Sequence, residues 1–407
     1  MTEDFWHHPM NRRSLLKGAG GLAIGSLLGG CSPQAAATLQ LLLLRGSIPA
    51  QFTGEFQRIA NQQATNKVNL RVDSQPQLQG LFAQLQRWQQ SPPTPTPDSG
   101  WDAVRQWIPF LGGAKNRVPE LMTLGDFWLG TAIAQNLVKP LAPRALQGWA
   151  TLAQLPQFKQ LVTRNNQGQL DAKGEIWAMP YRVGTTVLAY RKDIFQQRNL
   201  QPPTDWGDLW RTDLRRRIGL LDNPREVIGL TLKKLNQSYN TTDLASLPNL
   251  PAELQALNQQ AKYYSSRTYL QPLLLDDVWL TVAWSMDVLP LSQRSQQIGV
   301  VVPASGTALS ADLWVFPSMG LASLPPSAHQ WIDFCWQRDY AMQLSLATWG
   351  VSPTLIGTPV EQLPQGFRDH PALLPDAAIF QKSEFLLPIS KATTQQYEQL
   401  WQQMRTG

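Results

Sequence analysis

From residue 38 onward, apolar positions alternate between two periods. Residues 39–44 form a continuous apolar run typical of a buried strand, 53–63 carry apolar positions at helical spacing, 68–72 read as a strand and 78–89 as a helix. The segment Ser91-Pro92-Pro93-Thr94-Pro95-Thr96-Pro97 breaks the alternation. Four prolines in six residues cannot continue a helix, since each lacks a donor and clashes with the turn before it, so an exposed loop or insertion is predicted. The pattern resumes with a strand at 120–123, a helix at 124–136 and strands at 187–190 and 218–221. A helix at 225–235 follows, then strands at 280–283, 298–302 and 313–316. Strands alternating with helices predict α/β layering around mostly parallel sheets. No repeat period is present, which excludes solenoids and propellers. A chain of 407 residues exceeds what one core usually serves, so two lobes are expected.

The first 37 residues stand outside this pattern. Residues 1–30 read as a signal peptide: Arg12 and Arg13, followed by Leu15, Leu16 and Lys17, resemble a twin-arginine export signal, and the apolar run ending at Leu28 is too short to span a bilayer. Leu28-Gly29-Gly30-Cys31 resembles a lipobox, which makes Cys31 the expected lipidation site and residues 31–37 a lipidated tether. The expectation is an exported, periplasmic protein held to the cell membrane by acyl chains.

Composition narrows the chemistry. Hydrophobic residues make up 43% and charged ones 16%, an ordered globular balance. The net charge is +6, and the leader holds three basic residues and two acidic ones, which leaves the remainder near +5. That excess is modest, and no basic run is interleaved with aromatics, so nucleic acid is not an expected partner. Arg215-Arg216-Arg217 reads as a solvated face. With Cys31 an anchor, Cys335 remains, and a single thiol in an apolar helical stretch is a core filler that can form neither an internal disulfide nor a thiolate cage. His329 and His370 are far apart, so no metal site, no cofactor and no nucleophilic triad are expected.

Several segments resemble a known family. Asp205-Trp206-Gly207-Asp208-Leu209-Trp210, Ile218-Gly219-Leu220-Leu221-Asp222-Asn223-Pro224-Arg225-Glu226-Val227 and Asn240-Thr241-Thr242-Asp243 form the most specific run. Ala178-Met179-Pro180-Tyr181 with Gly184-Thr185-Thr186, Val282-Ala283-Trp284-Ser285-Met286-Asp287, Asp312-Leu313-Trp314-Val315-Phe316-Pro317 and Trp349-Gly350-Val351-Ser352-Pro353-Thr354 flank it in order. From about residue 118 to the end, the chain resembles the spermidine/putrescine-binding branch of bacterial ABC-importer receptors. The resemblance implies a two-lobed α/β fold of the type II periplasmic-binding-protein kind, each lobe a sheet flanked by helices, joined by crossover strands near 184–190 and 310–316. Lobe 1 would hold 38–186 and 313–352, and lobe 2 would hold 187–312 and 353–407. It further implies a receptor, not an enzyme, that works as a monomer, captures a polyamine-like cation by hinge closure and delivers it to ABC permease subunits.

Such a ligand calls for carboxylates at its ends and aromatic faces along its stem. By the family match Glu226 is the first carboxylate, although an acid favoured by a helix N-terminus would also stand there. Asp312 is the second, because a charge inside an apolar strand needs a cationic partner; an internal salt bridge is the alternative. Trp284 matches the stacking tryptophan, or else it is core; Phe127 lies where an aromatic contact is implied, with Asp126 beside it, and Asp287 is a further acid near Trp284. Arg45 departs from the family pattern and would repel a polyamine if it faced the cleft. Pro224 and Ser310 stand where an acid and an aromatic are common, which thins the cage. Two alternatives stay open: a receptor for an amino acid or anion through Arg45, and an exported hydrolase using Asp312 with Glu226.

Overall fold

The computed structural model describes residues 37–63, 68–91 and 117–406. The expected signal peptide, Cys31 with most of its tether, and the proline-rich segment from Pro92 lie outside the described residues. Strands β1 (Ala37–Leu44), β2 (Val68–Gln75) and β3 (Leu121–Gly125) alternate with helices Ala50–Gln63, Leu78–Gln90 and Asp126–Ala134. β1 pairs in parallel with both β2 and β3. Three short strands follow, β4 (Val138–Lys139), β5 (Thr163–Arg164) and β6 (Glu175–Ile176), and then the thirteen-residue β7 (Met179–Arg191). Beyond it lie β8 (Ile218–Leu220), β9 (Ala261–Tyr264), β10 (Leu280–Trp284), β11 (Ile298–Val301), β12 (Ala308–Pro317) and β13 (Glu384–Phe385). The main path runs β2-β1-β3-β12-β7-β10-β8-β9.

The outer strands are parallel, as alternation with helices requires, but β7 and β12 run antiparallel to each other and to their neighbours β10 and β3. These two strands serve two cores. β7 contributes Met179, Tyr181 and Val183 to one core and Val187, Leu188 and Ala189 to the other; β12 does the same with Leu313 and Ala308. β7 reaches well beyond the expected 187–190. Pro180 argues against a strand interior because it has no N–H for the ladder, yet it sits at a register shift opposite Leu313, where its carbonyl accepts from Trp336 Nε1 at 2.8 Å. The helix expected from 124 starts at Asp126 instead, because Leu124 and Gly125 remain extended and pair with Leu313 and Asp312. In the C-terminal part Leu355, Phe367, Phe380 and Phe385 pack in the first core, while Tyr397 and Met404 of the last helix pack in the second.

Tyr181 ties the first sheet together beside the crossover. Its ring stacks on Trp314 at 4.2 Å and 19°, and its hydroxyl lies 2.9 Å from Thr123 Oγ1 on β3 and 2.9 Å from Ser47 Oγ in the turn after β1. A buried hydroxyl left unmatched would cost about 1–3 kcal/mol. Cys335 is buried in the helix Pro326–Trp336, and burial pushes its thiol well above the usual range.

Candidate ligand-binding site

Strand register decides which side chains meet at the crossover. Asp312 on β12 lies directly opposite Arg182 on β7 and, on its other side, opposite Gly125, the last residue of β3. Residues directly opposite on antiparallel strands point to the same face. Asp126, one residue on, opens the helix Asp126–Ala134 beside Asp312. On the other sheet, Trp284 at the end of β10 is the direct partner of Thr186 on β7, so these two side chains also share a face.

Glu226 arrives at that face from the helix Pro224–Lys234. Asn223 caps it: its side-chain oxygen accepts from the backbone N–H of Arg225 at 3.0 Å and of Glu226 at 3.4 Å, and Pro224 occupies the first turn, where a missing N–H is no loss. The cap places Glu226 where the helix dipole favours a negative charge, which alone would justify an acid. Its carboxylate is 6% exposed and is met by side chains from two other elements. Thr186 Oγ1 donates to it at 3.0 Å and Trp284 Nε1 at 3.1 Å. No lysine or arginine hydrogen-bonds to it among the described residues. Burial raises the Glu226 carboxyl, opposed by these two donors and by the charge of Arg225.

Asp126 shows that the acids share one region. Burial pushes it up to about 7, and the negative charges of Asp312 and Glu226 add to the shift, against backbone donors at Ala311 and Phe127. Asp287, in the first turn of the helix Ser285–Arg294, is exposed and accepts a hydrogen bond from Tyr269, whose ring meets Trp284 edge-on at 5.3 Å. Phe127 is 68% exposed and rests edge-on against Trp128, which stacks on Phe82. Asp312 and Trp284 thus pair with β7 directly, Glu226 reaches Thr186 of β7, Asp126 follows the partner of Asp312, and Phe127 and Asp287 are exposed on the helices that begin beside them.

One expectation changes in detail. Asp312 does sit inside an apolar strand and does meet a cation, but the cation belongs to the chain: Arg182 Nε and Nη2 both bond to Asp312 Oδ2, at 2.8 and 2.5 Å, and both side chains are buried. Arg45 is exposed in the turn after β1, where its backbone N–H donates to Gln75. Residues that sequence reasoning passed over are Arg182, Thr186, Tyr269, Arg225 and Arg164. Arg182 is open to the argument used for Asp312, since it too is a charge set among apolar strand residues. Arg164 on β5 is 1% exposed, its Nε and Nη1 have no hydrogen-bond partner, and burial lowers it to about 10 against the pull of Asp126. Among the described residues no three His, Cys, Asp or Glu are grouped to hold a metal ion. A cavity of about 490 Å³ lined by Tyr190, Leu289, Ile298 and His370, and one of about 380 Å³ beside Lys233 and Glu384, take no wall from Asp126, Asp312 or Glu226.

The family model described as bacterial extracellular solute-binding protein matches residues 116–382, well over half of the chain. The spermidine/putrescine-binding periplasmic protein 1 of Haemophilus influenzae is 26% identical over 235 residues, covering 58% of this chain and 63% of that protein. The match therefore spans less than two thirds of that relative's length. The putrescine/cadaverine-binding protein of Pseudomonas aeruginosa is 25% identical over 247 residues, 57% of this chain and 67% of that one. Among solved structures, a spermidine/putrescine ABC transporter substrate-binding protein from Streptococcus pneumoniae superposes with a TM-score of 0.71 at 18% identity, covering 91% of this chain and 99% of its own. The cyclic alpha-maltosyl-1,6-maltose binding protein of Arthrobacter globiformis reaches 0.62 at 13% identity, covering 91% and 94%. Likeness at these identities establishes the two-lobed periplasmic-binding-protein fold; since that fold carries both amine and sugar binders, the ligand must be argued from the site.

Proposed function

The chain belongs to the bacterial extracellular solute-binding protein family, and we propose that it is the substrate-binding receptor of an ABC importer which captures a polyamine-like cation between two lobes. The observation that carries this reading is Glu226: a buried carboxylate held in place by two neutral donors, Thr186 and Trp284, and lacking a basic hydrogen-bond partner among the described residues. A carboxylate so oriented and so desolvated gains most when a cation arrives. Asp126, raised by burial and further by its acidic neighbours, gains from the same cation. Trp284, Tyr269 and Phe127 supply ring faces for a methylene stem.

In this reading each lobe is built on one of the two cores, β7 and β12 act as the hinge, and the closed form is read by permease subunits. Cys31 anchors the exported protein to the membrane, which keeps the receptor near its permease. The hydrolase alternative loses one of its two acids, because Asp312 is already tied to Arg182. A second reading has one observation behind it. Arg164 is buried near Asp126 with two unpartnered nitrogens, and a solute carrying a carboxylate beside its amine would answer them.

Titration calorimetry with putrescine, spermidine, arginine and sulfate separates these. The receptor reading expects a saturable one-to-one isotherm for an amine, weakened by Glu226→Gln. Binding of sulfate or of an amino acid alone, lost in Arg164→Ala, would replace it with the second reading.

A further inference from the structure

The Arg182–Asp312 pair is built, not incidental. The two residues are direct cross-strand partners, two guanidinium nitrogens converge on one carboxylate oxygen, and the third faces the Thr348 carbonyl at 3.4 Å. The arginine stem passes over Gly350, where an added Cβ would fall 2.1 Å from Arg182 Cγ. Any residue with a side chain at 350 would displace the stem, so the glycine makes room for it.

The consequence follows from counting charges. Asp312 lies beside Asp126 through the pairing of Asp312 with Gly125, so it is one of the acids a cationic ligand would meet. A ligand ammonium that reached it would have to displace a desolvated guanidinium held by two hydrogen bonds to Oδ2, whose own burial would then be uncompensated. Glu226 and Asp126 remain, with Asp287 exposed at the rim under Tyr269. Two further guanidiniums stand near these acids, the half-buried Arg225 next to Glu226 in sequence and the buried Arg164, close enough to feel Asp126. An ammonium beyond the second would find no buried carboxylate free to receive it, only Asp287 at the exposed rim, which already accepts from Tyr269.

We propose that Arg182 determines how many ammonium groups the site accepts, by occupying Asp312 from within and so selecting a short diamine over a triamine or longer polyamine. This rests on the receptor reading above and adds to it a named specificity residue. With Arg182 present, a methylene-linked diamine places one ammonium on Glu226 and one on Asp126. With Arg182 neutralised, Asp312 becomes a third buried anionic position.

Calorimetric dissociation constants for putrescine and spermidine, measured on the wild type, on Arg182→Gln and on Arg182→Gln with Asp312→Asn, test this. The wild type is expected to favour putrescine by at least about tenfold, and Arg182→Gln to shift that ratio toward spermidine by about tenfold or more. The double variant strands no buried charge and is expected to keep rejecting the triamine, so it decides the matter even if Arg182→Gln folds poorly. A wild type that binds spermidine as tightly as putrescine overturns the proposal. So does a folded Arg182→Gln with an unchanged ratio, or a double variant that gains spermidine. Failure of the wild type to bind any amine would strike the receptor reading itself, a result distinct from binding both amines alike.

Discussion

Replacing Glu226 with glutamine removes one charge and almost no volume. In the wild type the carboxylate receives Thr186 Oγ1–H at 3.0 Å and Trp284 Nε1–H at 3.1 Å, so both oxygens are held before a ligand arrives. A cation joining it forms a largely buried, charge-assisted pair, and stranding one partner of such a pair costs about 3–5 kcal/mol. The neighbouring Asp126 can take up part of the lost attraction, so the lower end applies: about a hundredfold weaker binding of a diamine. Stability should move the other way. Burial raises the Glu226 carboxyl, so its folded-state contribution is present below the unfolded pKa and lost as the pH rises through the raised value. Glutamine does not titrate, and the ligand-free variant should therefore melt above the wild type at neutral and alkaline pH, with the gap closing in acid. Calorimetry for affinity and thermal melts across pH read the two signs separately. Weaker binding with lower thermal stability at neutral pH would refute the reasoning, since it would mean the carboxylate supports the fold and not the ligand.

Three other outcomes follow from the same contacts. Asp126 is pushed up to about 7, above an unfolded carboxylate near 4, so its stabilising contribution is present in acid and lost as the pH climbs through about 7, while cation affinity rises over that window as the group ionises; Asp126→Asn should flatten the affinity profile measured between about pH 6 and 8, and a flat wild-type profile would sink the assignment. Trp284→Phe keeps a ring against Tyr269 but removes the donor to Glu226, and should weaken diamine binding by about 1 kcal/mol, or roughly fivefold, in the same titration. Tyr181→Phe leaves the hydroxyls of Ser47 and Thr123 without their shared partner and should lower stability by about 1–3 kcal/mol in denaturant melts, an expectation that an unchanged midpoint would contradict.

How far the sequence could be read depended on whether a signal was local. β1, the helix Leu78–Gln90 and the helix Pro224–Lys234 carry their own periodicity, cap or turn residues, and were placed within a residue or two. β7 extends well before the expected 187–190, with Pro180 accommodated at a register shift opposite Leu313 and Gly184 required by the close approach of Met286. Glu226, Trp284 and Phe127 rest on the family resemblance and Asp312 on the cost of a charge in an apolar strand; in the structure Trp284 pairs with Thr186 and Asp312 with Gly125. What no local pattern could reveal was Arg182 opposite Asp312, because register between strands 130 residues apart in sequence decides it. The same holds for the segment around Phe367 and Phe380: its apolar positions announce burial, but not in which core.

A crystal structure of the protein with putrescine tests the central claim most directly. The account predicts one ligand nitrogen within about 3 Å of the Glu226 carboxylate and the other near Asp126, with the Arg182–Asp312 pair intact and the stem against Trp284. A ligand lodged away from Glu226, or one whose ammonium has displaced Arg182 from Asp312, would contradict it.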